Sequence, residues 1–208
     1  MKAWRIENDD GIDALNLTDV DIGDPGPGEV RFRVKASSIN RRDFNTVRAP
    51  SARNTPLPRI PNSDAAGEVV AVGDGVREFK PGDRVASCFF KRWQGERMRA
   101  PIMASALGGA EEGMLSEETI LPETALVPLP AHLTWAEAGT LTCAGVTAWN
   151  ALVEQGGLKA GDTVLVMGTG APTSNSHLHT DRWPFQQAMD MGVTPLLVAL
   201  VISAAAPT

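Results

Sequence analysis

With 208 residues, 43% of them hydrophobic, the chain is long enough to bury one good core and part of another. A net charge of -6 and a pI near 5.1 argue against nucleic acid or an anionic membrane as partner. Two cysteines, Cys88 and Cys143, are too few for a disulfide framework and fit a reducing cytoplasm.

The opening MKAWRIENDDG lacks the apolar core of a signal peptide. After it, residues 1 to about 130 read mostly as short strands punctuated by Pro and Gly, the pattern of a small barrel or sandwich. Asp24-Pro25-Gly26-Pro27-Gly28 is a turn. From Glu29 to Ile39, Val30, Phe32, Val34 and Ala36 alternate with Arg31, Arg33 and Lys35, which predicts a half-buried strand. Gly67 to Gly73 is a β-branched run between glycines. Lys80-Pro81-Gly82-Asp83 then turns the chain into a strand at Arg84-Val85-Ala86.

The character changes near Leu129. Thr134-Trp135-Ala136-Glu137 has the spacing of a capping box and predicts a helix start. A second helix is predicted over Ala144 to Gln155, stopped by Gly156-Gly157. Lys159-Ala160-Gly161-Asp162 turns into Thr163-Val164-Leu165-Val166-Met167, an apolar run suited to a parallel strand covered on both faces. Gly168 and Gly170 follow as the first two glycines of a phosphate-binding loop.

Beyond Gly170 the composition breaks. Of the 44 charged residues only Asp181, Arg182 and Asp190 lie there, with no Lys, no Glu and a single glycine, Gly192. A helix surface needs charges to face water, and this segment offers almost none. Ala171 to Ser176 does not open a helix, and the third loop glycine is missing. Either the segment is a genuine but unusual extension, or a coding frame shift near codon 171 has replaced the expected sequence; the second is favoured. A complete dinucleotide-binding domain needs several further βαβ units of about 30 residues each, so the apolar strand is expected to lack its neighbours. The apolar stretch Val193 to Ala206 contains Pro195 and falls short of the roughly 20 residues that span a bilayer.

Three motifs in order, Pro61 to Ser87 (PNSDAAGEVVAVGDGVREFKPGDRVAS), Leu141 to Leu152 (LTCAGVTAWNAL) and Gly156 to Gly170 (GGLKAGDTVLVMGTG), resemble the medium-chain dehydrogenase/reductase superfamily. They look most like its zinc-independent alcohol dehydrogenase and quinone oxidoreductase-like members. The resemblance implies a β-rich GroES-like barrel over residues 1–128, connecting helices and a first strand over 129–170, and an incomplete α/β Rossmann domain, with 171–208 as an atypical tail. It also implies NAD(P)H-dependent hydride transfer to or from small carbonyl or quinone substrates. The family's dimer contacts are expected to be missing. A chain so composed is expected to be inactive and to bind neither NADH nor NADPH; the alternative is a stand-alone GroES-like binding module without redox activity.

By the same resemblance, the catalytic-zinc positions fall at Asn40, Ser63 and Cys143. An amide and a hydroxyl there predict that no zinc is bound. Ser38-Ile39-Asn40-Arg41-Arg42-Asp43 resembles the motif lining the substrate cleft in zinc-independent members. Asn40 is the candidate donor to a substrate oxygen. Arg41 stands where relatives carry Tyr, and the chain has no tyrosine at all. Asp43 is expected to orient Asn40 or Arg41, unless Arg41, Arg42 and Asp43 merely form an ion-paired helix start. Ser63 and Asp64 are candidates for substrate binding. Thr147, Gly168 and Gly170 are candidates for the nicotinamide cofactor. His177-x-His179 has no partners to make a metal site, and Asp190, at the spacing of the ribose-binding acid, is not preceded by a strand.

Overall fold

The computed structural model describes residues 1–95 and 97–167, together with the backbone of two short strands at 177–179 and 199–201. The chain divides into two units, Met1–Cys143 and Ala144–Thr208.

In the first unit, β1 (Lys2–Ile6) and β2 (Leu15–Asp19) form an antiparallel hairpin. Its inward residue Ile6 packs with Ala14 and Val47 in a small core of its own. The main sheet is built from β3 (Glu29–Ser38), β4 (Asp64–Val72), β5 (Arg84–Ser87), β6 (Glu118–Pro122) and β7 (Leu126–Pro128). Its order is β6-β3-β4-β5-β7, antiparallel throughout. Three short helices lie between or after these strands: α1 (Arg41–Arg48), α2 (Ala100–Met103) and α3 (Trp135–Ala138).

The alternation read in β3 is what the sheet uses. Val30 and Phe32 are fully buried and join Val69, Val85, Leu107, Met114 and Leu121 in the largest core, with Val34 against its edge. Each such large side chain contributes roughly 2 kcal/mol when fully buried. Arg31 and Arg33, on the other face, pair with Glu118 across the sheet at 2.7 and 3.0 Å. The register aligns Ser38, the last residue of β3, with Asp64, the first of β4. That pairing positions the polar site described below.

Thr134 does cap α3, its hydroxyl accepting from the Glu137 N–H at 3.3 Å while Glu137 Oε2 accepts from the Thr134 N–H at 2.8 Å. Arg84 spreads over the Trp135 ring at 4.2 Å and donates to the carbonyl of Ala131, closing β5 onto this segment.

The helical run expected from Ala144 starts earlier, at Leu141, and continues to Gln155. Its middle is α4 (Val146–Trp149), and its flanks, Leu141–Gly145 and Asn150–Gln155, are wound as π-helix. In the second unit, Gly157 adopts φ +62 and the Leu158 N–H returns to the Leu152 carbonyl, ending the helix. The strand expected after the turn is β8 (Thr163–Met167). The expectation of a parallel strand without neighbours is corrected here. β8 pairs antiparallel on both edges, with β9 (His177–His179) and β10 (Ala199–Val201). A continuous apolar run suits any strand covered on two faces, so it carries no information about strand direction. Among the described residues, no helix is long and apolar enough to cross a membrane.

Candidate active site: a buried carboxylate cluster around Asn40

The site forms where β3 runs into α1 and the chain enters β4. Asn40 is extended (φ -87, ψ 158) at the cap of α1, and its N–H donates to Asp43 Oδ2 at 2.8 Å. An acidic side chain here accepts one of the orphan donors of the first turn and faces the positive end of the helix. On the β4 side, Asn62 takes φ +67 and donates through Nδ2 to Ser37 Oγ at 3.1 Å. Ser87 of β5 donates from Oγ to the Ser63 carbonyl and accepts from the Ala65 N–H, at 3.1 and 3.0 Å. Ser63 and Asp64 are therefore held from both neighbouring strands.

The side chains meet in one network. Asn40 Nδ2 donates to Asp64 Oδ2 at 3.0 Å and, more weakly, to Ser63 Oγ at 3.4 Å. Ser63 Oγ donates to Asp64 Oδ1 at 2.8 Å, and Ser38 Oγ donates to Asp64 Oδ2 at 3.3 Å. Arg42 Nη1 donates to the Leu107 carbonyl at 2.6 Å and lies 3.4 Å from Asp43 Oδ1. The Arg42 guanidinium also stacks over the Phe89 ring at 4.8 Å. Two glycines make room for this. A Cβ on Gly109 would stand 2.5 Å from Arg42 Nη2, and one on Gly113 would collide with the carbonyls of Ile60, Pro61 and Asn62.

Asp43, Ser63 and Asp64 are all at 0% exposure. Burial pushes the Asp43 carboxyl up to about 6, against the pull of the Asn40 N–H and of Arg42. Burial likewise raises Asp64, with its hydrogen bonds from Asn40, Ser63 and Ser38 opposing it. The Arg42 guanidinium is lowered by burial, partly offset by Asp43. Cys143 is pushed up to about 12, first by burial and then by the charges of Asp64 and Asp43.

Of the residues singled out from sequence, Asn40, Asp43, Ser63 and Asp64 are brought together. Arg41 is not. It is exposed and stacks on the Phe44 ring at 5.5 Å, while Arg42 supplies the charge inside the cluster. Asp43 thus orients Asn40 and pairs with Arg42. Neither Ser63 nor Asp64 presents surface to a ligand; Asn40, Ser38 and Arg42 are the half-buried members of the network. Thr147 is exposed on α4 in the second unit. Gly168 and Gly170 lie outside the described residues. Sequence reasoning placed Arg42 only in an ion-paired helix start with Arg41 and Asp43; the Arg42–Asp43 pair forms, but its anchor on the Leu107 carbonyl was missed. The adjacent Gly108-Gly109 pair was the available signal that a bulky group approaches there.

The donor set at Asn40, Ser63 and Cys143 does not fit zinc. It offers an amide nitrogen and a hydroxyl, both already donating to Asp64, and a single thiol, whereas zinc takes thiolate, imidazole or carboxylate. Among the described residues no cluster of three His, Cys, Asp or Glu side chains is placed to hold a metal. The residues expected to meet a dinucleotide at Gly168 and Gly170 lie outside the described residues, and both described neighbours of β8 run antiparallel.

Residues 26–131 match the family model of the alcohol dehydrogenase GroES-like domain. A zinc-type alcohol dehydrogenase-like protein of Schizosaccharomyces pombe is 37% identical over 163 residues, 77% of this chain and 47% of the relative. The 2-methylene-furan-3-one reductase of Solanum lycopersicum is 33% identical, covering 81% of this chain and 40% of its own length. The chain therefore spans less than half of either relative. Among solved structures, a quinone oxidoreductase of Pseudomonas syringae pv. tomato superposes with TM-score 0.61 at 30% identity, covering 77% of this chain and 43% of that one. An NAD-dependent alcohol dehydrogenase gives 0.68 at 31%, covering 78% and 49%. Strand order, the barrel-forming sheet and these likenesses agree: the chain belongs to the medium-chain dehydrogenase/reductase superfamily through its alcohol dehydrogenase GroES-like domain.

Proposed function

We propose that this chain supplies the substrate side of a zinc-independent oxidoreductase acting on small carbonyl or quinone compounds. The observation that carries the reading is the Asn40 network. Where the zinc-type arrangement needs metal ligands, this chain has an amide held by a buried carboxylate. Asn40, half-buried, is the residue that meets the substrate oxygen, through the amide N–H that otherwise reaches Ser63 Oγ only at 3.4 Å. Asp64, Ser63 and Ser38 hold its side chain from behind, and Asp43 holds its backbone N–H. A fixed polar group costs no reorganisation when charge develops on the bound oxygen, which is how such groups lower a barrier. Arg41, exposed beside the cap, contributes long-range charge at most.

The family reaction is hydride transfer with NAD(P)H, and relatives named as alcohol dehydrogenases and quinone oxidoreductases support that class. No step through the nicotinamide is assigned to this chain. Thr147 and the Gly168/Gly170 loop remain the proposed cofactor contacts of the family arrangement. The scarcity of charge after Gly170 and the antiparallel neighbours of β8 argue that the 208 residues by themselves build no working cofactor site. In this reading residues 1–128 are the catalytic domain, 129–170 the connection and first strand, and the isolated chain is an inactive cytoplasmic protein.

Titration of the labelled chain with cyclohexenone, followed by side-chain amide NMR, tests the substrate assignment. Saturable shifts of the Asn40 amide, lost in Asn40→Ala, are expected. Shifts elsewhere with Asn40 silent would overturn it. Binding at Asn40 without any turnover when NADH or NADPH is added is also what the alternative, a binding module, requires. The two readings part when the chain is joined to a complete cofactor domain: turnover supports the oxidoreductase reading, and its absence supports the module.

A further inference from the structure

Asn62 is 3% exposed, and its backbone lies in the left-handed region at φ +67 just before the Ser63-Asp64 pair. Few residues other than glycine adopt that region, and Asn is one of them. The surrounding chain holds it there. The Met114 N–H donates to the Asn62 carbonyl at 2.9 Å. Gly108 packs so closely that a Cβ on it would stand 2.5 Å from the Asn62 carbonyl oxygen and 2.7 Å from its nitrogen. A glycine at 62 would meet the backbone requirement with less strain. What Asn adds is its amide. Asn62 Nδ2 donates to Ser37 Oγ at 3.1 Å, and Ser37 Oγ donates in turn to the Asp64 carbonyl at 2.8 Å. The Asp64 carboxylate then accepts from Asn40 Nδ2 at 3.0 Å. A hydroxyl that accepts on one side and donates on the other has its rotor fixed, and hydrogen bonds in series strengthen one another.

We infer that Asn62 is a positioning residue of the site. Through Ser37 it fixes the main chain of Asp64, and thereby the carboxylate on which the Asn40 amide is held. Buried behind the cluster, Asn62 touches no ligand and acts only through its neighbours. What the Asn40 amide does for a substrate rests on the reading proposed above. The positioning does not.

The test reads the Asn40 side-chain amide by 15N NMR of the full chain without ligand. Asn62→Gly keeps the left-handed backbone and removes only the amide. Ser37→Ala removes the hydroxyl between Asn62 and Asp64, and Ser37→Thr restores one on a residue suited to a strand. In Asn62→Gly and Ser37→Ala, the Asn40 amide protons should exchange with solvent about fivefold faster or more, the worth of one ordinary hydrogen bond. Ser37→Thr should resemble the unaltered chain. The Asn16 side-chain amide, which donates to the Ala14 carbonyl in the separate hairpin, should stay the same in all three. An Asn40 amide unmoved by Asn62→Gly and Ser37→Ala would overturn the inference. So would an equal change at Asn16, or a Ser37→Thr chain that behaves like Ser37→Ala. Should Ser37→Ala fail to fold, Asn62→Gly decides alone. Should both fail, the unaltered chain decides: an Asn62 side-chain amide exchanging as fast as that of the exposed Asn8 would overturn the inference, and a protected one would support it. No ligand enters this test, so it stands or falls separately from the cyclohexenone titration.

Discussion

The two strands β3 and β8 both carry buried apolar residues, both follow Pro/Gly or Gly/Asp turns, and both were legible as strands, yet they ended in different surroundings. β3 alternates, and its inward residues Val30 and Phe32 find partners from β4, β5 and β6 in a core that the same 143-residue unit supplies. β8 does not alternate. Its partners, β9 and β10, come from a segment with almost no charge, and the sheet they make is antiparallel. An alternating pattern specifies which face is buried and thereby constrains register. A continuous apolar run specifies only that something must cover it. The first region therefore carries its own instructions for a site, and the described neighbours of β8 give the second an antiparallel sheet.

The site in the first region can be broken by its cation. Arg42→Met leaves two buried carboxylates facing no guanidinium and should destabilise the chain by about 3–5 kcal/mol in chemical denaturation. Arg41→Met, one residue away, should cost under about 0.5 kcal/mol, because that side chain is exposed. Equal effects would mean that the cluster does not depend on Arg42.

The next effect is a pH slope. The Asp43 carboxyl is raised to about 6 in the fold, from an unfolded value near 4, so the folded state binds its proton more tightly than the unfolded state. The contribution of Asp43 to stability is then fully present below pH of about 4 and is lost as pH rises through about 6, by about 3 kcal/mol as an order of magnitude. Asp43→Asn should flatten that slope in denaturation midpoints measured across this range. A slope unchanged by the substitution would show that Asp43 is not its source.

How much of this could be read in advance follows from how locally each feature is encoded. The β3 alternation, the Thr134–Glu137 cap and the gathering of Asn40 and Asp43 at one helix start are fixed by residues three or fewer positions apart, or by a period of two. The choice of Arg42 over Arg41 is not local. Neighbouring residues on a helix point about 100° apart, and only the packed fold shows which direction leads to Phe89 and to the Leu107 carbonyl, 65 positions onward. The burial of Ser63 and Asp64 was hidden for the same reason. It depends on Ser87 of β5 and on the register that sets Ser38 against Asp64. The antiparallel partners of β8 come from a segment with no periodicity to read.

A smaller effect sharpens the comparison at the edge of the first region. Thr134→Ala removes the hydroxyl that accepts from the Glu137 N–H and should cost about 1 kcal/mol, read as a modest fall in denaturation midpoint. Because α3 packs through Ala138 on Ala66 and Ala86 of the main sheet, the loss should register in global unfolding. A change seen only in local proteolysis would place α3 outside that cooperative unit.

We propose that the first unit builds the substrate side and that the 208 residues by themselves bind no nicotinamide cofactor. Titration calorimetry of the purified, monodisperse 208-residue chain with NADH and NADPH tests it directly. The account predicts no saturable heat with either nucleotide, while the Asn40 amide still responds to cyclohexenone. Saturable, stoichiometric binding of either cofactor would show that the residues after Gly170 complete a working site, and would contradict the account.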